Sequence, residues 1–278
     1  MTLSHINGAG VEFWSKIVNT DPCLPNINGS KLPLYEAANQ PRTLRYCPTT
    51  LVTRLIEAGA DPRPQGIFHS IVRNCQLQTV QLAVKHGADL YQISRDGSST
   101  LHYVNDVDKL NYSLRETGND LLPVLNLFGE NALSHVIMLS NESVALSLYS
   151  AYIAAGHEDV LNLHNFTRSS GLIQAILEGM YNLAIEMINS DAIIPTPSGG
   201  CPTALHHAVI RGIIPIIRLL IAKGVDVNTL DRCGNTALHL AVSWNRPSVV
   251  RILIEEGNAD VNLTVRGFTP FMHASYRG

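Results

Sequence analysis

Two cysteines and two histidines near the end of the chain are of the residue types that bind zinc: Cys201, His207, Cys233 and His273. Protein zinc sites are tetrahedral and usually contain a pair of ligands only two to four residues apart. None of these four residues has a partner at that spacing. The sequence therefore predicts no metal site.

The cysteines could instead supply a catalytic nucleophile. A reactive cysteine needs surroundings that stabilise its thiolate and a base within reach, and no cysteine stands in such a pattern. The chain also lacks a glycine-rich phosphate loop, an H-E-x-x-H or G-x-S-x-G motif and a paired-carboxylate signature. We therefore expect no enzymatic activity and no cofactor. The cysteines considered are Cys23, Cys47, Cys75, Cys201 and Cys233.

Composition narrows the class of protein further. The 278 residues carry a net charge of −3 with no basic cluster, which argues against nucleic-acid binding. Apolar residues make up 45%, yet no apolar run is long enough to span a bilayer. The start of the chain lacks a signal peptide, and five cysteines without a C-x-x-C pair are typical of a reducing compartment. We expect a cytoplasmic monomer.

One motif recurs three times at the end of the chain. It reads Pro-Thr-Ala-Leu-His-His-Ala at 202–208, Asn-Thr-Ala-Leu-His-Leu-Ala at 235–241 and Phe-Thr-Pro-Phe-Met-His-Ala at 268–274, with a period of 33 residues. An apolar segment separates successive copies and ends at Gly224 or Gly257, each followed within a few residues by Asp-Val-Asn. A threonine N-cap, a helical apolar stripe and a terminating glycine together predict a pair of short helices in each period.

This 33-residue unit resembles the ankyrin repeat. The resemblance implies an all-α solenoid of stacked helix-turn-helix units with hairpin-like fingers between them. One such unit cannot bury its own apolar face, so its stability comes from stacking on its neighbours. The resemblance also implies that four motif histidines bond to backbone across neighbouring fingers: His69, His102, His206 and His239.

The motif's leucine position can be followed back through the chain. It falls at Leu34, Phe68, Leu101, Leu133, Leu172, Leu205, Leu238 and Phe271. Six of the seven intervals between these positions are 32 to 34 residues long, and the remaining one is 39. We therefore predict about seven to eight units, some degenerate.

The domain prediction follows from this register. Residues 1–30 are expected to form a capping helix and finger, or else a separate short amphipathic helix. Residues 31–278 are expected to form the array, least regular at 105–165, where residues 105–111 replace the usual turn and residues 141–155 form a lengthened helix pair. The last unit ends at Gly278 after its first helix. We expect the natural polypeptide to continue, the alternative being a helix-only end cap.

The resemblance implies a concave strip of finger tips and first-helix residues as the partner-binding surface. The strip contains Arg211, Arg232, Asn235, Ser243, Trp244, Arg266, Phe268, Tyr276 and Arg277. Trp244 is the strongest candidate, since tryptophan with nearby arginine is typical of interface hot spots; the alternative is a tryptophan that covers a junction between repeats. The resemblance further implies that Asn228, eight residues after Leu220, is a target for asparaginyl hydroxylation.

Three functional hypotheses follow. The first is a non-catalytic scaffold or adaptor that binds a protein partner; its degenerate middle units resemble the ankyrin-repeat effectors that intracellular bacteria deliver into host cytosol. The second is the substrate-targeting region of a larger enzyme whose catalytic domain follows Gly278. The third, a pocket with its own activity within residues 105–160, we expect to be wrong.

Overall fold

The computed structural model describes residues 48–64, 66–157, 161, 170–190 and 203–277, without the side chains of Pro48, Tyr276 and Arg277. The predicted capping segment 1–30 and Leu34 lie outside these residues. The described residues form helices and turns without a β-strand. No helix among them is long and apolar enough to cross a membrane. The chain divides into two compact units, one containing residues up to 136 and 143–157, the other residues 137–142 and those after 157.

Short helices build the first unit. They are α1 (Pro48–Glu57), α2 (Ile67–Asn74), α3 (Leu77–Lys85), a 3-10 helix (Thr100–Tyr103), α4 (Val107–Thr117), α5 (Ala132–Met138) and α6 (Glu142–Ala154), of which the end of α5 and the first residue of α6 belong to the second unit. Helix α2 contacts α1, α3 and the 3-10 helix, and α4 packs on α3 and the 3-10 helix. The core is apolar because Phe68, Leu101 and Leu133 all point into it and are buried.

The irregular part of the first unit differs from the prediction in one respect. Residues 107–111, expected to replace a turn, are helical, because Asp106 caps α4 by accepting a hydrogen bond from the Lys109 N–H at 2.8 Å. The first helix of this repeat is instead the short 3-10 helix Thr100–Tyr103. Residues 141–155, expected to form a lengthened helix pair, instead contain the single helix α6, which has 13 residues, whereas α8, α10 and α12 of the second unit have nine each.

The second unit consists of more regular pairs. Its helices are α7 (Gly171–Glu178), α8 (Tyr181–Asn189), α9 (Ala204–Arg211), α10 (Ile214–Ala222), α11 (Ala237–Ser243), α12 (Pro247–Glu255) and α13 (Pro270–Arg277). The first helices of successive pairs, α7, α9, α11 and α13, pack in one layer, and each of the first three contacts the second helix that follows it. Helices α8 and α10 pack on each other in the other layer.

Local sequence fixes where the first helices begin. Ser170, Thr203 and Thr236 have extended backbones, and each side chain accepts the N–H three residues later. The leucines that follow two residues after each cap, Leu172, Leu205 and Leu238, are buried as predicted. At the last of these positions Phe271 is 77% exposed, because no second helix of its own pair covers α13 among the described residues.

The helix-ending glycines behave in two ways. Gly224 has the expected left-handed backbone, with φ of 77°. Gly257 does not; the left-handed residue after α12 is Asn258, with φ of 51°. Gly257 is needed for a different reason, since a Cβ atom there would lie 2.8 Å from the Leu253 carbonyl oxygen. The left-handed backbone expected of a helix-ending glycine is therefore wrong for Gly257. Asn258, an extra residue between this glycine and the following Asp-Val-Asn when compared with the Gly224 copy, takes that conformation instead.

Candidate partner-binding surface

The finger at 231–235 is a turn held by its own first side chain. The Asp231 carboxylate accepts the N–H groups of Cys233 at 2.9 Å and Asn235 at 2.8 Å, and the Asp231 N–H donates to the Asn235 carbonyl at 2.9 Å. Aspartate favours such turns because its short side chain reaches backbone two residues ahead. Arg232 and Cys233 are left exposed at the tip.

The last finger is one residue shorter. Val265 and Phe268 form a β-bridge around a two-residue turn in which Arg266 and Gly267 both have positive φ, 51° and 84°. Two positive φ values are the signature of a tight hairpin turn. This shortening offsets the inserted Asn258, so the next capping threonine keeps its 33-residue spacing. Arg266 and Phe268 are exposed at this tip.

The motif histidines bond each first helix to the following finger. In the most complete case, Nδ1 of His206 accepts the Thr203 N–H at 3.1 Å, and Nε2 lies 3.1 Å from the Asn235 carbonyl. A ring that accepts at Nδ1 and donates at Nε2 is neutral, and burial lowers the pKa of His206. Equivalent bonds run from His69 to Gln92, His102 to Glu130 and His239 to Phe268 at 2.9, 3.1 and 3.3 Å. The predicted histidine role is confirmed.

Basic side chains bond successive repeats in the second unit. The last carbonyls of a helix have no partner within it, and cations are favourable there. Arg211 donates to the Leu177 carbonyl at the end of α7, and Arg246 donates to the Ile210 carbonyl at the end of α9, at 3.4 Å. Arg211 was predicted only for partner binding, so the structure gives it an additional contact within the array.

Trp244 lies where α11 ends. Its backbone N–H donates to the Leu240 carbonyl at 2.9 Å. The next residue, Asn245, has a left-handed φ of 50° that turns the chain into α12. The side chain is 55% exposed. The backbone that carries this indole is therefore fixed by the end of a helix, while most of the ring faces solvent.

The structure separates the predicted binding residues by environment. Arg211, Arg232, Trp244, Arg266 and Phe268 are exposed, and Ser243 is half-buried. Asn235 has a structural role, because its side-chain amide donates to Asp231 at 3.1 Å and its carbonyl accepts from His206. The side chains of Tyr276 and Arg277 lie outside the described residues, so these two stay predictions.

Asn228 connects neighbouring fingers. Its side-chain oxygen accepts the Asp260 N–H at 2.9 Å, and its own N–H donates to Asp226 at 2.9 Å. The bond to Asp260 uses the Asn228 side chain and explains a side-chain acceptor at this position without any modification. Hydroxylation of Asn228 stays a prediction.

The residues considered for zinc do not form a described cluster. Cys201 lies outside the described residues, and within the part of the chain that the structure covers no three His, Cys, Asp or Glu side chains are grouped as metal ligands. His273 instead packs edge-on against Phe268, with ring centroids 5.8 Å apart.

Arg246 is the contact residue that the sequence analysis missed. It follows α11 by three residues, and its guanidinium lies so close to Gly212 that a Cβ there would meet Nη1 at 3.0 Å. The signal that could have identified it is a basic residue about one repeat length, 36 residues, after the helix-end residue Ile210.

Sequence comparison relates this chain to known ankyrin-repeat proteins. The family model "Ankyrin repeats (3 copies)" matches residues 172–265. The nuclear factor NF-kappa-B p105 subunit of Gallus gallus is 33% identical over 178 residues, 59% of this chain and 18% of that protein. The protein phosphatase 1 regulatory subunit 12A of Mus musculus is 45% identical over 58 residues, 21% of this chain and 5% of its own. The chain thus spans less than a fifth of either relative.

A solved structure extends the match in fold. The ankyrin repeat domain of Bcl-3, described as a member of the IkappaB protein family, aligns with a TM-score of 0.61 and 23% identity. The alignment covers 76% of this chain and 95% of that one. At this identity the likeness shows the fold. Together with the capped first helices and the histidine contacts, these matches show that residues 172–265 contain ankyrin repeats and that the chain has the ankyrin-repeat fold.

Proposed function

We propose that this chain is a non-catalytic, cytoplasmic adaptor that binds a protein partner through one surface of its second unit. The surface, here called the Trp244 surface, consists of Arg211, Arg232, Asn235, Ser243, Trp244, Arg266, Phe268, Tyr276 and Arg277. Ankyrin repeats generally mediate protein–protein interaction, which makes binding the expected function of the array.

The observation that carries the proposal is the exposed indole of Trp244. Large aromatic side chains dominate the energetics of interfaces, and the best of them contribute 2 kcal/mol or more, as an order of magnitude. Trp244 sits on a helix end whose backbone is already hydrogen-bonded, so little backbone order has to be created on binding. Its exposure also argues against the alternative that it covers a repeat junction.

The test compares proteins retained from cytosol by the wild-type chain and by Trp244→Ala. Each retained protein is then purified and its affinity measured by calorimetry. We expect at least one partner whose affinity falls about 30-fold in the variant, the equivalent of about 2 kcal/mol.

A matched control is available on the second helices. Tyr181 is another exposed aromatic residue, at the start of α8, and Tyr181→Ala is expected to leave the same affinity unchanged. If Trp244→Ala retains every partner with wild-type affinity, the choice of surface is wrong.

A finer form of the proposal, delivery into host cytosol by an intracellular bacterium, is tested by fusing a translocation reporter to the chain.

A second candidate function is favoured by one comparison. The phosphatase relative is by name a regulatory subunit, which favours a targeting role for this array. The second candidate is accordingly the targeting region of a larger enzyme whose catalytic domain follows Gly278. Sequencing the gene past codon 278 tests it. A stop codon there excludes this form of the hypothesis and leaves the adaptor proposal standing.

A further inference from the structure

The finger at 126–130 in the first unit presents two large apolar side chains to solvent. Leu127 is 68% exposed and Phe128 is 55% exposed. Polar residues and glycine dominate tight turns because they bond to backbone or tolerate unusual dihedral angles. Two adjacent apolar side chains at a turn tip therefore need another explanation.

Internal comparison shows that the finger does not require them. The fingers that begin at Ser94, Asn126 and Asp231 share one design, in which the first side chain accepts the N–H four residues later at 3.0, 2.9 and 2.8 Å. The residue after each of these is the first tip residue. It is arginine in the first and third fingers, Arg95 and Arg232, and leucine only in the second. Leucine at 127 is thus not a demand of the fold.

The tip is held rigidly. The Asn126 side chain accepts the Phe128 N–H at 2.9 Å as well as that of Glu130, and its amide donates to the Glu130 carboxylate at 3.0 Å. The Leu127 N–H donates to the Asp96 carbonyl of the neighbouring finger at 2.8 Å. The backbone that carries the apolar pair is therefore already ordered, which lowers the entropic cost of inserting the pair into a partner.

The chain segment that carries this tip and the neighbouring finger is acidic in sequence. Residues 89–130 contain seven acidic and three basic residues, a net charge of −4, whereas the whole chain carries −3. One of the three basic residues, Lys109, is buried. Burial alone would raise the pKa of Asp96, but hydrogen bonds from Ser94 and Ser98 outweigh it and lower that pKa, so this carboxylate next to the tip stays ionised.

We propose that Leu127 and Phe128 form a second docking point, which inserts into an apolar pocket on a protein partner whose rim carries lysine and arginine. The charge of the finger region selects such a rim and disfavours an acidic one. The same charge disfavours insertion into an anionic membrane, whose surface attracts basic segments. This docking point is separate in residues from the Trp244 surface and does not depend on it.

The test selects partners with the whole chain. A phage-displayed library of folded protein domains is panned against the immobilised wild-type chain, and every recovered domain is measured by calorimetry against Leu127→Arg/Phe128→Ser. The arginine reproduces the tip residue of the other two fingers, so the variant is expected to keep its thermal midpoint. We expect domains with a net positive charge whose affinity falls about 30-fold or more in the variant and weakens with salt.

Two controls separate this proposal from the preceding one. Leu230→Ser, at another exposed finger position, is expected to leave these affinities unchanged, and so is Trp244→Ala. A selection in which no recovered domain distinguishes the double variant from the wild type overturns the docking point. The docking point is also overturned if the domains that bind the double variant more weakly are acidic. It is overturned as well if the chain binds phosphatidylserine vesicles instead of domains and the double variant weakens that binding.

Discussion

Lys109 offers the sharpest test of how the irregular part of the first unit is stabilised. Its side chain is 1% exposed, and its ammonium group donates to the carbonyls of Val72 and Cys75 at 2.6 and 3.0 Å and also to the Asn105 side chain. The Asp106 carboxylate lies 3.1 Å away. This lysine therefore connects α4 to the end of α2.

The carbonyls concerned cannot be satisfied within α2. The N–H that would normally bond to the Val72 carbonyl belongs to Gln76, and it donates to Thr49 instead, at 3.3 Å. Truncating Lys109 to alanine therefore leaves two buried carbonyls without this donor, each costing about 1 to 3 kcal/mol. It also removes three buried methylenes, at about 0.8 kcal/mol each.

Relief of the buried charge offsets part of this loss, because desolvating an ammonium costs several kcal/mol. We expect Lys109→Ala to lower the free energy of unfolding of the first unit by about 3 to 5 kcal/mol, the range for losing one member of a buried ionic contact. Lys109→Met keeps the stem and loses only the donors, so we expect a loss of about 2 kcal/mol.

The assay is urea unfolding followed by circular dichroism, with amide hydrogen exchange in α2 and α4 reporting on the first unit alone. Lys85→Met, at an exposed lysine of α3, serves as the control and should change stability by less than about 0.5 kcal/mol. If Lys109→Met is as stable as the wild type or more stable, the ammonium costs more to bury than its hydrogen bonds return. The reasoning is then refuted.

Three further predictions concern stability. Burial lowers the pKa of His102 from 6.5 to about 4. The neutral ring therefore contributes fully to the free energy of unfolding above pH 6.5, and about 3 kcal/mol is lost as the pH falls toward 4. Urea unfolding at pH 7.5 and 4.5 should show this loss, and His102→Gln should reduce it. Gly257→Ala should destabilise by about 1 to 3 kcal/mol, since its Cβ would meet the Leu253 carbonyl; an unchanged thermal midpoint would contradict this. Asn228→Ala should lower the free energy of unfolding by about 1 kcal/mol through the lost bond to Asp260. Asn228→Asp keeps an acceptor, so its loss in thermal unfolding should be smaller.

The sequence predicted the regular repeats well because their determinants are local. Thr203 caps α9, Leu205 points into the core and His206 returns to its own cap, all within four residues. The helix starts and the buried leucines could therefore be predicted from the motif alone, whereas the histidine contacts with the following finger were implied by the family resemblance.

The remaining features depend on residues that are far apart in sequence. Arg211 and Arg246 each bond to a carbonyl more than 30 residues earlier, and no local pattern shows which cation makes such a contact. Asn258, an extra residue relative to the Gly224 copy, takes the left-handed conformation in place of Gly257. The exposure of Leu127 and Phe128 follows from a finger tip whose neighbours had to be known first.

Hydrogen exchange of the chain with and without a captured partner tests the central claim most directly. Binding through the Trp244 surface predicts slower exchange at 231–235, 243–246 and 265–268, with no change in the second helices α8, α10 and α12. Slower exchange confined to α8, α10 and α12 would contradict the account.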